Sequence, residues 1–153
     1  MTRTARAARI IATWFGVGLA RKAPGTWGSL ATLPLGILLL WLGGPWAVVA
    51  CGIVATFIGI WAVQVYLRTA AMKDPKEVVI DEVAGQLLAL VPAGLDWRLW
   101  LLAFVLFRFF DITKIGPIGW AERLPRAFGV MVDDVIAGIV AGLCLWGIGR
   151  YLL

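Results

Sequence analysis

Histidine is absent from this 153-residue sequence, and only two cysteines occur in it. Histidine is the side chain that most readily exchanges a proton near neutral pH and a common zinc ligand, so its absence excludes histidine nucleophiles and histidine-based zinc sites. Cys51 and Cys144 lie in separate apolar stretches and fit neither a disulfide framework nor a metal-binding motif. Any chemistry must therefore use carboxylates, cations, hydroxyls or a metal held by oxygen.

Charged residues are also scarce, at 15% of the chain, whereas 61% of the residues are hydrophobic. A membrane-spanning helix needs ~20 predominantly apolar residues, with a range of about 17 to 25. The sequence predicts an all-α, polytopic membrane helix bundle with about five spans. The third and fourth are short, and the alternative to full crossing is that they form a re-entrant pair. The predicted spans are 27–43, 45–67, 81–94, 97–111 and 133–152.

The N-terminal residues predict a basic helix that lies at the level of the lipid headgroups. Arg3, Arg6 and Arg9 recur at three-residue spacing ahead of an apolar run. A cleaved signal peptide is the competing interpretation. We do not expect cleavage, because the run at 10–20 is short and ends at Arg21 and Lys22 without a small-residue cleavage site. We expect one integral-membrane domain, with 1–20 as the interfacial segment and 21–153 as the bundle that carries the chemistry.

The net charge of +5 indicates anionic lipid as a partner. We expect no nucleic-acid binding, because the basic residues flank apolar segments and form no stripe with interleaved aromatic residues. With the N-terminus in the cytoplasm and five crossings, all but Arg98 and Arg150 of the 14 lysines and arginines fall inside, as the positive-inside rule requires. The same topology places every acid except Asp96 on the cytoplasmic side.

Five carboxylates lie at the cytoplasmic ends of three predicted spans. Asp81 and Glu82 begin the third span in VIDEVAGQ, Asp111 closes the fourth in FRFFDITK, and Asp133 with Asp134 opens the fifth in GVMVDDVIAG. A single acid at a helix N-terminus is explained by the helix dipole. Adjacent like charges at several helix ends repel one another unless a cation neutralises them. These five are therefore the candidate catalytic residues and metal ligands, and all-oxygen ligation favours Mg²⁺, Mn²⁺ or Ca²⁺.

Two cations flank one of these acids. Arg108 and Lys114 each lie three residues from Asp111, so all three share a helix face if the helix extends that far. An arginine fork and a lysine charge beside a metal carboxylate would hold a phosphate group. Ion pairing within the trio is the alternative.

Small and hydroxyl-bearing residues complete the pattern. The turn RKAPGTWGS at 21–29 offers Thr26 and Ser29 as further groups that could bind phosphate oxygens. Gly85 follows Asp81 by four residues, and Gly138 follows Asp134 by four, so close helix packing is expected beside both acids.

Together, PGTWGS, IDEVAGQ, FRFFDITK and GVMVDDVIAG resemble the phosphatidylglycerophosphatase A family, in the same order over residues 16–149. The resemblance implies Mg²⁺-dependent removal of the terminal phosphate from phosphatidylglycerophosphate, giving phosphatidylglycerol, at the cytoplasmic face of a bacterial inner membrane. The positions that match the family motifs are Thr26, Ser29, Asp81, Glu82, Arg108, Asp111, Lys114, Asp133 and Asp134. One departure is that Ile115 and Gly116 separate Lys114 from Pro117, where the family usually has proline directly after the lysine.

Several alternatives stay open at this level. The attacking group is either a water molecule or a carboxylate that forms an aspartyl-phosphate. The substrate could be another lipid phosphomonoester such as phosphatidate. From other classes, a small divalent-cation transporter would need polar residues across the bilayer, and a structural membrane protein would tolerate loss of the acids.

Overall fold

The computed structural model describes residues 2–70 and 76–151, and this part of the chain is helical throughout, without a strand. The predicted all-α class is confirmed. Short 3₁₀ turns at Val17–Leu19 and Val91–Ala93 connect some of the helices. Lys73 and Asp74, which entered the charge count, lie outside the described residues. The helices are α1 (Arg3–Ala12), α2 (Pro24–Ala70), α3 (Ile80–Leu90), α4 (Trp97–Thr113), α5 (Pro117–Ala121) and α6 (Ala127–Tyr151).

Helix α2 is a hairpin whose turn lies at Gly44. This residue has φ 65° and ψ −162°, a conformation open to glycine because it lacks a Cβ. Gly28 in the first half and Gly59 in the second both lie beside the start of α3, whereas Gly36 and Gly52 lie beside its end. The two halves of α2 therefore run in opposite directions along α3.

Two helices in the described part of the chain are long and apolar enough to cross a membrane: Pro24–Thr69, with mean hydropathy 2.2, and Ala127–Tyr151, with mean hydropathy 2.0. The halves of α2 are ~30 and ~39 Å long at 1.5 Å per residue. The 11 residues of α3 extend only ~16 Å and the 17 of α4 ~25 Å. The third and fourth segments are thus short, as expected, while the number of crossings stays a prediction.

Large apolar side chains cover the outside of the bundle. Trp46 beside the Gly44 turn is 80% exposed, and Phe57 on α2 and Leu143 on α6 are 69% and 65% exposed. Soluble monomers rarely expose extended apolar surface. This outer surface suits contact with lipid tails, in keeping with the composition.

Helix α3 forms the centre of the bundle. Eight of its 11 residues are buried, and it packs against both halves of α2, against α4 and against α6. Helix α1 lies at its beginning, where Val79 N–H donates to the Ala12 carbonyl at 2.9 Å. Ala8 and Ala12 of α1 are buried and its three arginines are exposed, so one face of this helix is basic, as the spacing predicts.

Helices α3 and α6 cross at a pair of glycines. A Cβ on Gly138 would lie only 2.8 Å from the Gly85 Cα, and one on Gly142 would lie 3.1 Å from the Leu88 carbonyl oxygen. Gly138 lies against Gly85, and Gly142, four residues later on α6, lies against Leu88, three residues later on α3. The contacts thus move toward the C-terminus along both helices, so α3 and α6 are parallel and in register. The backbones approach this closely because neither crossing residue carries a side chain.

The predicted start of the last span is wrong. Helix α6 begins at Ala127, directly after Arg126 with φ 56°, so Asp133 and Asp134 lie in its second turn. The intervening AFGVMV is apolar and continues the helical hydrogen bonds without a break. The favourable interaction between acids and the helix dipole fades within the first turn of a helix. It therefore explains the positions of Asp133 and Asp134 less well than expected.

We expect Gly138→Ala to destabilise the protein and Gly147→Ala, on the same helix, to do so little or not at all. The first methyl group would collide with the α3 backbone, whereas no atom lies within 4 Å of the second. Overpacking typically costs about 1 to 3 kcal/mol, and alanine in an open helical position gains up to ~1 kcal/mol over glycine. Thermal unfolding in detergent measures both. Equal melting temperatures for the two variants would contradict the close crossing.

Candidate active site

A polar cleft of about 630 Å³ opens at the end of the bundle where α2, α3 and α6 have their early turns and α4 ends. Six acids and four cations line it, a formal net charge of −2. Of the nine residues predicted from sequence, eight line this cleft: Thr26, Asp81, Glu82, Arg108, Asp111, Lys114, Asp133 and Asp134.

Three of the five carboxylates converge on one point. Asp81, Glu82 and Asp134 each offer an oxygen, and these oxygens lie within 4.8 Å of one another. Asp81 Oδ1, Glu82 Oε2 and Asp134 Oδ2 are buried and have no hydrogen-bond partner among the described residues. Leaving a buried polar atom unpaired costs about 1 to 3 kcal/mol, and more for a charged group. The donor set, all oxygen and all carboxylate, fits a hard divalent cation such as Mg²⁺.

The helix crossing explains why these acids meet. Asp81 lies one turn before Gly85 on α3, and Asp134 lies one turn before Gly138 on α6. Because the helices are parallel and the two glycines touch, the residues one turn earlier also face each other. The glycines that follow Asp81 and Asp134 by four residues thus determine how closely these two carboxylates approach.

The other two predicted ligands are paired with cations instead. Arg108 Nη1 donates to Asp111 Oδ2, and its distance to Glu82 Oε1 is 3.8 Å. Lys114 Nζ donates to Asp133 Oδ2. Asp111 and Asp133 therefore hold the two cations in the cleft, while the other three acids keep free oxygens.

Lys114 differs from its predicted placement. Helix α4 ends at Thr113, and Lys114 has φ 49°, so it does not share a helical face with Arg108 and Asp111. The left-handed turn sends its side chain to Asp133 on α6, and its ammonium is also 3.5 Å from Glu122. Ile115 and Gly116 then lead to Pro117, which begins α5.

The ammonium of Lys114 is held in its charged form. Burial alone would lower the pKa of this amine, but the hydrogen bond and negative charge of Asp133 outweigh burial and raise the pKa above its ordinary value. The nearby charges of Asp134 and Glu122 act in the same direction. Lys114 therefore keeps a permanent positive charge at the edge of the cleft.

The first turn of α2 forms another wall. Gly25 and Thr26 line the cleft, and a Cβ on Gly25 would lie 3.2 Å from Arg108 Nη1 and would overlap the Glu82 carboxylate. Only glycine allows this approach. The N–H groups and the positive dipole end of α2 therefore point toward the same space as the two cations.

Ser29 is the predicted residue that the structure does not bring to the cleft. It is fully buried, and its hydroxyl donates to the Gly25 carbonyl at 3.0 Å. The expected turn at 21–29 becomes helix from Pro24 onward, which moves Ser29 behind the wall. Its hydroxyl is hydrogen-bonded within α2 and does not reach the polar surface of the cleft.

Four polar residues of this region were not predicted from the sequence. Lys76, Glu122 and Arg126 line the cleft from connecting segments, whose path the spacing does not predict. Gln86, one turn after Glu82, is fully buried, with neither amide atom hydrogen-bonded to a described residue. The signal for Gln86 was present, since it is the one uncharged polar side chain in the helix IDEVAGQLLAL.

Comparison with known proteins relates the chain to one family. The family model described as Phosphatidylglycerophosphatase A matches residues 10–149. Phosphatidylglycerophosphatase A of Haemophilus influenzae is 40% identical over 147 residues, which cover 94% of this chain and 90% of the relative. The Escherichia coli protein of the same name is 34% identical over 149 residues, covering 93% and 83%.

A third relative, from Bacteroides thetaiotaomicron, is provisionally named a phosphatidylinositol-3-phosphatase and is 36% identical over 151 residues, covering 92% of this chain and 94% of its own. No solved structure matches the chain significantly. The family model and the two relatives of the same name span nearly the whole chain, so the protein belongs to the phosphatidylglycerophosphatase A family.

Proposed function

We propose that this protein is a Mg²⁺-dependent, multi-pass phosphatase of a bacterial inner membrane that converts phosphatidylglycerophosphate to phosphatidylglycerol on the cytoplasmic side. Its family membership makes it a phosphoric monoester hydrolase of phospholipid biosynthesis. The observation that carries the proposal is the meeting of three carboxylates, each with one buried and unpaired oxygen, beside two oriented cations in one cleft.

Asp81, Glu82 and Asp134 are the residues that would hold the metal. Their free oxygens supply the negative charge, and the cleft as a whole carries a formal charge of −2, which one divalent cation balances. When bound, Mg²⁺ would supply Lewis-acid chemistry at phosphoryl oxygens. We assign Asp111 and Asp133 a different task, which is to hold Arg108 and Lys114 in place.

The phosphate would be bound by groups that carry or direct positive charge. Arg108 offers a planar fork and Lys114 a permanent ammonium, each fixed by a carboxylate behind it. The first turn of α2, with Thr26, adds N–H donors on a third side. Because these donors are held before substrate arrives, they are available to the charge that develops on the phosphoryl oxygens during transfer.

The proton and the nucleophile must be handled by carboxylates, since the chain has no histidine. One of the cleft acids would accept a proton from an attacking water, or a carboxylate would attack phosphorus and form an aspartyl-phosphate that water then hydrolyses. Both routes use the same residues and stay open.

The surroundings of the cleft support a site at the cytoplasmic headgroup level. Lys76, Lys114 and Arg126 lie at this end of the bundle, and basic residues favour the cytoplasmic side. The Gly44 turn lies at the opposite end of α3, where Trp46 is widely exposed. A lipid could thus present its phosphate to the cleft while its tails stay beside the apolar outer surface.

Phosphate release by the purified protein in detergent tests the function directly. Phosphatidylglycerophosphate, phosphatidate and phosphatidylinositol 3-phosphate are offered with Mg²⁺ and with EDTA. We expect Mg²⁺-dependent release that is fastest with the first substrate. Preference for another lipid would keep the chemistry and change the substrate, as the name of the Bacteroides relative suggests. No release from any of them by folded protein would favour a transport or structural role.

Asp134→Asn should abolish most turnover while the protein still folds. The change removes one charge from the three-acid cluster with almost no change in shape. Loss of an outer-shell partner of a metal typically costs about 10- to 100-fold, so loss of a ligand should cost roughly 100-fold or more in kcat. Asp96→Asn is the matched control, because Asp96 lies at the start of α4 and only accepts the Arg98 N–H bond that asparagine also accepts. Comparable activity of the two variants would remove the acid cluster from the mechanism.

Arg108→Lys should raise KM and lower kcat even though the charge is kept. Lysine cannot contact Asp111 and a phosphate oxygen at once with the fork of an arginine. We expect a loss of roughly tenfold or more in kcat/KM, about 1.4 kcal/mol or more of transition-state stabilisation. Arg98→Lys at the other end of α4 serves as the control, since Arg98 is exposed there. Wild-type kinetics for Arg108→Lys would show that charge alone suffices.

A further inference from the structure

Gln86 is a buried amide that no described residue satisfies. It is fully buried in the middle of α3, and neither its Oε1 nor its Nε2 has a hydrogen-bond partner among residues 2–70 and 76–151. Every residue of α3 after it is apolar, so packing alone would favour leucine or methionine at this position. Because buried polar groups are almost always paired in folded proteins, the amide indicates a partner.

Two further unpaired atoms belong to Glu82 and to its neighbour Arg108. Glu82 lies one turn before Gln86 on the same face of α3, which places their Cβ atoms about 5 to 6 Å apart. Glu82 Oε2 and the Nε of Arg108 are both buried without a described partner. Arg108 is beside Glu82, with Nη1 and Oε1 3.8 Å apart.

The unpaired atoms are chemically complementary. Gln86 Nε2 and Arg108 Nε are donors, whereas Gln86 Oε1 and Glu82 Oε2 are acceptors. An amide that donates to the carboxylate and accepts from the guanidinium satisfies all four at once. A carboxylate oxygen has two lone pairs, so Glu82 Oε2 can accept this bond and still face a cation.

We propose that Gln86 is a positioning residue that joins Glu82 of the acid cluster to Arg108 of the phosphate-binding pair through bridging water. Because Glu82 is assigned to the metal and Arg108 to the phosphate, this role rests on the proposed function. Gln86 lies outside the cleft lining and acts only through the orientation of these two side chains.

Gln86→Met tests the role, because methionine has nearly the same size and cannot hydrogen-bond as an amide does. Two properties should change. The melting temperature in EDTA should fall modestly while the protein stays folded, because Glu82 Oε2 and Arg108 Nε lose the partner that the amide gives them. The Mg²⁺ concentration for half-maximal activity should rise about tenfold or more, or kcat at saturating Mg²⁺ should fall by as much. Gln64→Met is the matched control, since Gln64 is a half-buried glutamine on α2.

The outcomes separate this role from the function on which it rests. A Gln86→Met protein with Mg²⁺ dependence and kcat within twofold of wild type overturns the positioning role alone. Gln86→Leu is measured in parallel, and failure of both variants to fold, while Gln64→Met folds, would show a structural role instead. A wild-type protein without Mg²⁺-dependent hydrolysis would overturn the proposed function and this role together.

Discussion

The contact between Gly85 on α3 and Gly138 on α6 is the constraint on which the site depends. It allows two helix backbones to touch, sets them parallel and in register, and so brings Asp81 and Glu82 close to Asp134 one turn earlier. Any side chain at the crossing would separate the helices and the charges with them. The electrostatics of the cleft therefore depend on the close packing of these two glycines.

That arrangement is unfavourable unless something neutralises it. Three carboxylates with free buried oxygens repel one another, and three further acids line the same cleft. The chain satisfies part of this charge itself, through Arg108 with Asp111 and Lys114 with Asp133. The remaining charge corresponds to a divalent cation, and the fixed cations next to it suit a phosphate. Charge placement thus favours a ternary arrangement of protein, cation and phosphomonoester.

Much of this could be predicted from residue types. Apolar runs indicated a helical membrane protein, and ionisable groups at the ends of such runs indicated the candidate site, because burying charge in a membrane is costly. Boundaries differed from the predicted ones: α6 begins at Ala127, before Asp133, and α2 begins at Pro24, inside the predicted turn at 21–29. The apolar residues before Asp133 extend α6 without marking where it starts, whereas the start of α2 is marked by a proline at the first helical position.

The sequence by itself determined the class of the protein, its family and eight of the residues that line the cleft, out of nine predicted, because composition and motif order survive without coordinates. Only the tertiary structure decided which of those residues pair with one another and which keep unpaired oxygens. Spacing along one chain cannot show that Lys114 turns to Asp133, that Ser29 faces away, or that Gln86 is buried without a hydrogen-bond partner in the described part of the chain. Those facts depend on which residues of separate helices contact one another, and close packing across the bundle determines these contacts.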